Sequence, residues 1–420
     1  MLTLHAKDHP HLFELAEFLG PLCGQAWLVG GTIRDLLLDN HPADYDIAFS
    51  GDLSAKVLAW SQQQQGSWFW LDKERNQSRV MLDNGRLQFD FAPLRAATIQ
   101  EDLRLRDYTL NAIALPLKDL TTGGLIDPLD GVADLQAGRL RCCSGDVLKD
   151  DPLRCLKGIR HHAQHGWTFT PETIDQLRAA APLISQIAGE RLRTELSHIL
   201  AGPHLSSAID LLEETHLAQE LFPKFRGQEF QIGLSHARKQ LALLSAFEPI
   251  VIRLEENYEP LLNLHSLLIL ALIFICTTDF IPALIERLRL SRRSSKLIDS
   301  LLRSEPARID FDLQDSPRIS ALKVERIGTE PIAQLLFTLL RYQGTELISL
   351  SSVAITHFIN HLSRERIPDL LGGNALREKY PALSGKEIGL WLERIKAAEI
   401  NEEISSVGEA EAWLDQQFSI

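Results

Sequence analysis

The stretch AWLVGGTIRDLLLDNHPADYDIAF, residues 26–49, decides the fold. AWLVGG (26–31) is a short apolar run closed by two glycines, and TIRDLLLD (32–39) has helical character. DYDIAF (44–49) alternates with the period of two that a half-buried strand requires. RVML (79–82) and RLQFDFAPL (86–94) alternate in the same way. Strands interleaved with helices imply an α+β head, a mixed sheet with flanking helices, over residues 1–140.

From residue 150 the strand signals fade. PLRCLKGIRHHAQ, TIDQLRAAAPLI, GERLRTELSHILAG and AIDLLEETHLAQELF space their apolar residues at i, i+3 and i+4, as amphipathic helices do. Helical patterning continues through LLILALIFIC and PIAQLLFTLLRY to GEAEAWLDQQFS. The expected organisation is the head (1–140), then an all-α neck (141–205), a helical body (206–365) and a helical tail (366–420). No period of 20–50 residues supports a solenoid.

Composition narrows the class. The chain has 420 residues, 45% hydrophobic and 24% charged, and a net charge of −13 from 43 basic and 56 acidic residues. No overall cationic field attracts a polyanion, so an RNA partner requires local basic clusters. The five cysteines, at 23, 142, 143, 155 and 276, form neither a disulfide framework nor a CxxC zinc pattern. MLTLHAKDHP lacks the basic-then-apolar order of a signal peptide. The longest apolar run, Leu267 to Cys276, is about half of the ~20 residues a spanning helix needs. These features point to a cytoplasmic enzyme or RNA-handling protein with no membrane association.

Chemistry concentrates in the head and at the start of the neck. Gly30 and Gly31 form a turn between strand and helix, where backbone can approach a phosphate, with Arg34 one turn in. Such a turn alone is more often structural. On a strand, Asp44 and Asp46 share one face while Tyr45, Ile47 and Phe49 share the other. Two adjacent carboxylates suit Mg²⁺ together with substrate phosphates, or are a solvated strand end. In LQFDF (87–91) the aromatics take one face and Asp90 the other, so three acids converge if the two strands are neighbours. Arg106, Asp107 and Asn111, within RLRDYTLNA, could meet a triphosphate and a ribose, or be salt-bridged and capping residues. Asp151-Pro152 reads as a helix start with proline at the first helical position. On the helix that follows, Arg154, Lys157 and Arg160 wind along one flank, while Asp151 and Arg154 offer hydrogen bonds to a base edge.

Taken in order, LVGGTIRDLLL, DYDIAF, DLRLRDYTLNAIA, IDPLDGVADLQAGRLR, DDPLRCLKGIRHHAQHGWTFTPET and GERLRTEL resemble the class II tRNA nucleotidyltransferases and the related bacterial poly(A) polymerases. The resemblance implies a polymerase-β-like nucleotidyltransferase head that adds CMP and/or AMP, from CTP and ATP, to the 3′ acceptor end of tRNA. It implies that Gly30, Gly31 and Arg34 hold the triphosphate, that Asp44, Asp46 and Asp90 hold Mg²⁺, and that Arg106, Asp107 and Asn111 handle ribose and phosphates. It further implies that Asp151 and Arg154 read the incoming base, with Lys157 and Arg160 contacting the nucleotide.

The chain departs from the family pattern at Leu105, Asp150 and Lys157 and in the block Asp127-Pro128-Leu129-Asp130-Gly131. Lys157 keeps the charge of the usual arginine without its planar fork. Members that add the whole CCA carry an extended segment between the third-carboxylate strand and the RRD block. Here Asp90 to Arg95 runs almost directly into Thr98 to Asp102. That favours an enzyme adding two cytidines, with a complementary A-adding enzyme acting on the same tRNA. Complete CCA addition, A addition, poly(A) synthesis and a catalytically inactive RNA-binding module are the alternatives. In the body the densest basic cluster supplies Arg289, Arg292, Arg293 and Lys296 as RNA contacts, or is a solvated helix end. His161, His162 and His165 are expected to face solvent or tRNA.

Overall fold

A computed structural model describes residues 2–222, 232–233, 235, 237, 257–259, 262–275, 281–303, 311–312, 314–328, 330–342, 345–361 and 369–418. The chain divides into two compact units, Met1–Pro223 and Lys224–Ile420.

The first unit opens with α1 (Pro10–Leu19), β1 (Ala26–Val29), α2 (Gly31–Leu37), β2 (Asp44–Phe49), α3 (Ser54–Gln63), β3 (Ser67–Asp72), β4 (Gln77–Leu82), β5 (Leu87–Pro93), α4 (Ile99–Arg104) and β6 (Ala114–Pro116). The strands form one sheet in the order β3-β4-β5-β2-β1-β6. β2 and β5 run parallel and the remaining neighbours antiparallel. One face of the sheet carries Tyr45, Ile47, Phe49, Val80, Phe89 and Phe91, all buried. Trp60 of α3 sits edge-on to Phe89 at 5.1 Å, and Tyr45 stacks on Phe89 at 4.8 Å. The Tyr45 hydroxyl meets His9 Nδ1 at 2.8 Å, and burial pushes its pKa up to about 12. Each fully buried aromatic or aliphatic side chain contributes roughly 1.5–3 kcal/mol, so alternation on β2, β4 and β5 fixes which face looks away from the core.

The rest of the first unit comprises α5 (Gly131–Gln136), α6 (Val147–Asp150), α7 (Leu153–His165), α8 (Pro171–Ala180), α9 (Gly189–Leu200), α10 (Leu205–Glu214) and α11 (Leu217–Leu221). α7 begins one residue later than the sequence suggests, with Pro152 at the cap, although Asp151 Oδ1 still accepts the Leu153 N–H at 3.3 Å. It ends at Gly166, whose φ of 73° allows the left-handed turn. α10 and α11 fall in the first unit. Ser207 of α10 lies 2.8 Å from His162 Nε2 of α7.

Among the described residues the second unit is almost all helix. Leu264–Ile273 is buried on every side, as a core helix should be; Cys276, the end of the apolar run, lies outside the described residues. The helices Pro317–Glu325 and Gly385–Ile400 are joined by buried Lys396, which pairs with Glu325 at 2.7 Å and Asp369 at 3.2 Å. A short strand pair, Asn257–Glu259 with Leu262–Asn263, has no counterpart in the sequence reading. Among the described residues no helix is long and apolar enough to cross a membrane.

Candidate active site

The outward sheet face is set by register. Asp46 on β2 lies beside Asp90 on β5, and Asp90 lies opposite Arg79 on β4. Thr32 ties the start of β2 to α2 by donating to the Asp44 carbonyl at 3.1 Å and accepting the Asp46 N–H at 2.8 Å. Gly30, with φ of 67°, passes close to the acids: a Cβ there would stand 3.2 Å from both Asp46 Oδ2 and Arg106 Nη1.

The three acids are held differently. Asp44 is exposed at the strand end. The Asp46 carboxylate has no hydrogen-bond or ion-pair partner among the described residues. Burial raises its pKa to about 6; Asp90 and Asp44 add to the rise and Arg106 opposes it. Asp90 is gripped by Arg79 through a two-point contact, Nε to Oδ1 at 2.7 Å and Nη2 to Oδ2 at 2.8 Å. Among the described residues no three acidic, histidine or cysteine groups are arranged to hold a metal. The unpartnered Asp46, raised chiefly by desolvation with its acidic neighbours adding to it, is the local feature that fits a bound cation. Asp90 joins it only if Arg79 lets go.

The RDYTLN block folds over the same face. Arg34 Nη1 donates to Asn111 Oδ1 at 3.0 Å, and Asn111 Nδ2 donates to Asp107 Oδ1 at 3.1 Å. Burial would raise the Asp107 pKa, but the Lys157 charge, the Tyr108 N–H and Asn111 outweigh it and hold Asp107 below the usual carboxylate value. Arg106 pairs with buried Asp102 at 3.2 Å, and Asp102 also takes Arg95 at 3.1 Å. On the neck, Asp151 faces Arg191 of α9 at 3.2 Å, and Arg160 faces buried Glu195 at 3.2 Å. Arg154 donates to the Val147 carbonyl at 3.1 Å.

One cleft of about 440 Å³ gathers most of these groups, with Arg79, Arg191 and Glu195 outside its lining. Of the thirteen head and neck residues expected from sequence, twelve line it: Gly30, Gly31, Arg34, Asp46, Asp90, Arg106, Asp107, Asn111, Asp151, Arg154, Lys157 and Arg160. Asp44 does not. The lining also includes Gln77, Arg95, Asp102 and His161, which the sequence reading did not select. Asp102 precedes Arg106 by one helical turn, the one spacing signal that could have found it. The expectation is corrected for His161 and His162 and holds for His165, which is exposed. His161 is buried, and burial, reinforced by Arg34 and Arg160, holds its pKa well below the ordinary value. His162 is buried too, 2.7 Å from the Trp167 carbonyl, and His165 stacks on Trp167 at 4.1 Å. Arg289, Arg292, Arg293 and Lys296 are exposed around the start of the helix Arg292–Arg303, in the second unit.

Residues 26–141 match the family described as the poly A polymerase head domain, and residues 166–227 match the probable RNA and SrmB-binding site of polymerase A. A CC-adding tRNA nucleotidyltransferase of Geobacter sulfurreducens is 30% identical over 402 residues, covering 93% of this chain and 91% of its own. The chain belongs to the tRNA nucleotidyltransferase and poly(A) polymerase family. It is therefore a tRNA nucleotidyltransferase of the CC-, A- or CCA-adding kind. The A-adding tRNA nucleotidyltransferase of Deinococcus radiodurans is 36% identical over 231 residues, 54% of this chain and 51% of its own. The fold extends to the Thermotoga maritima CCA-adding enzyme complexed with tRNA, with a TM-score of 0.74, 24% identity, and 98% and 96% of the two chains covered. In this nucleotidyltransferase, the mixed head sheet and helical remainder are those of the CCA-adding fold.

Proposed function

We propose that the chain adds two cytidines, and no adenosine, to the 3′ end of tRNA, leaving the last position to a separate A-adding enzyme. The observation that carries the cleft's role is the convergence of twelve expected residues on one cavity. Arg34, Arg106, Lys157 and Arg160 supply the positive charge a triphosphate requires, and Asp151 and Arg154 the hydrogen-bonding groups for a base edge. Asp44 and Asp46 are the residues that would hold Mg²⁺, joined by Asp90. When bound, the ion would stabilise charge on the transferring phosphoryl group. The RNA 3′-hydroxyl attacks the α-phosphorus of CTP; a new phosphodiester bond forms as the bond to pyrophosphate breaks. Arg191 and Glu195 of α9 orient Asp151 and Arg160 for this task.

The specificity reading rests on the link between β5 and α4. Only residues 94–98 separate them. Thr98 and Glu101 close a capping box, and Arg95 is tied to Asp102 by its backbone N–H at 3.0 Å. No room is left for the extended segment carried by family members that add all three nucleotides. The Geobacter relative's name supports the same reading. The test is extension of tRNAs lacking CCA, CA or A, with CTP alone, ATP alone and both. Two cytidines added to the first substrate, one to the second and nothing to the third are expected. A terminal adenosine would overturn CC specificity, and long untemplated A tails would favour poly(A) synthesis.

A further inference from the structure

We infer that the outer strands of the head sheet seat the 3′-terminal base of the RNA, with the Phe69 ring as its stacking partner. The inference rests on the reading that an RNA end is extended in this cleft. Register carries it: Phe69 is paired with Arg79, Arg79 with Asp90, and Asp90 with Asp46. Directly paired residues project to the same face, so Phe69 lies in one row with the acids. At about 4.8 Å per strand, it stands roughly 10 Å from Asp90. That is close to the reach from a base to the far side of its own ribose.

β3 (SWFWLD) is aromatic on both faces, yet only one face is covered. Trp68 and Trp70 turn toward the core side and are partly buried, whereas Phe69 and Leu71 are 43% and 46% exposed. β3 is the sheet's edge strand, a place where proteins usually put charge. An exposed apolar strip there, continuous with a polar cleft through Arg79 and Gln77, offers what single-stranded nucleic acid requires. Base stacking on an aromatic ring is strong and tolerant of sequence. The β3–β4 turn adds exposed Lys73 and Arg75 for phosphates.

The test uses the full-length chain and a tRNA lacking CCA whose 3′-terminal nucleotide is 2-aminopurine. Fluorescence should be quenched on binding to the wild type and to Asp46→Asn, but not to Phe69→Ala or Phe69→Leu. With unlabelled tRNA, both Phe69 variants should raise KM for tRNA about fivefold or more, leave KM for CTP unchanged, and be rescued by Phe69→Trp. Phe69→Leu keeps the apolar bulk, so a folding defect would not explain its loss. If the wild type extends tRNA and the Phe69→Leu quench and KM match it, the inference fails while the nucleotidyltransferase reading stands. If the wild type extends no RNA, the underlying reading fails, and the seat with it.

Discussion

Asp46 shows how one residue carries both the strain and the use of this site. Its carboxylate is half-buried beside two other acids, and Arg106 only partly offsets the desolvation and the acids' field, which leaves its pKa at about 6. The folded state therefore favours the protonated acid, whereas the unfolded chain titrates near 3.8. Stability from this group is greatest below about pH 4 and falls as pH rises toward 6, because ionisation then costs the fold more than the unfolded chain. Each pKa unit corresponds to about 1.4 kcal/mol. Some solvent access softens the penalty, so an ionised Asp46 costs about 2 kcal/mol above pH 7. Without divalent ions, Asp46→Asn should raise Tm at pH 7.5, with the gain fading as pH falls from about 6 to 4. The same variant should abolish nucleotide addition. A gain in Tm that does not depend on pH would show that burial of Asp46 is not the source of the strain.

At the scale of elements, the neck is fastened to the head by the close approach of two segments. The Tyr108 ring is fully buried, and its hydroxyl donates to the Arg154 carbonyl of α7 at 3.0 Å. It lies over Gly158, where a Cβ would come within 2.1 Å of the Tyr108 oxygen. Gly158→Ala should therefore destabilise the protein by about 2 kcal/mol or more through overpacking, and displace Arg154 and Lys157 relative to Asp107. A loss of Tm and a raised KM for CTP are expected together; an unchanged melt would mean the helix shifts without cost. This fastening is illegible in sequence, because the glycine is one small residue within a helical pattern. β2 and β5 were legible because alternation is a local property, and their pairing brought Asp46 and Asp90 together as expected. β3 was not, since WFWL shows no alternation even though only one of its faces is covered. Arg79 stands at an alternating position, but only cross-strand register reveals that it grips Asp90. His161 was misjudged for a similar reason: periodicity does not say that Tyr108 and Asn111 close over that side of α7.

For the whole molecule, the question is how a chain of net charge −13 engages RNA. The cleft does not solve it alone, since six cations there face five carboxylates. The stretch from Arg287 to Lys296 has five cations and no acid in ten residues. Three of these, Arg292, Arg293 and Lys296, sit at the start of the helix Arg292–Arg303, whose first turn has no acidic residue. Cations at a helix N-terminus oppose the helix dipole, so the fold tolerates this charge at a local cost, while Arg293 lies 4.2 Å over the Tyr258 ring. A polyanionic partner would offset that cost. Replacing Arg292 and Lys296 together by glutamate should weaken tRNA binding about tenfold near 50 mM salt and flatten the log–log salt dependence by about one to two. Turnover at saturating tRNA and KM for CTP should stay at wild-type values, because the cleft residues lie in the other unit. Binding and salt slope equal to wild type would identify the cluster as a solvated helix end, and the charge that draws RNA in would then have to come from the cleft's own arginines.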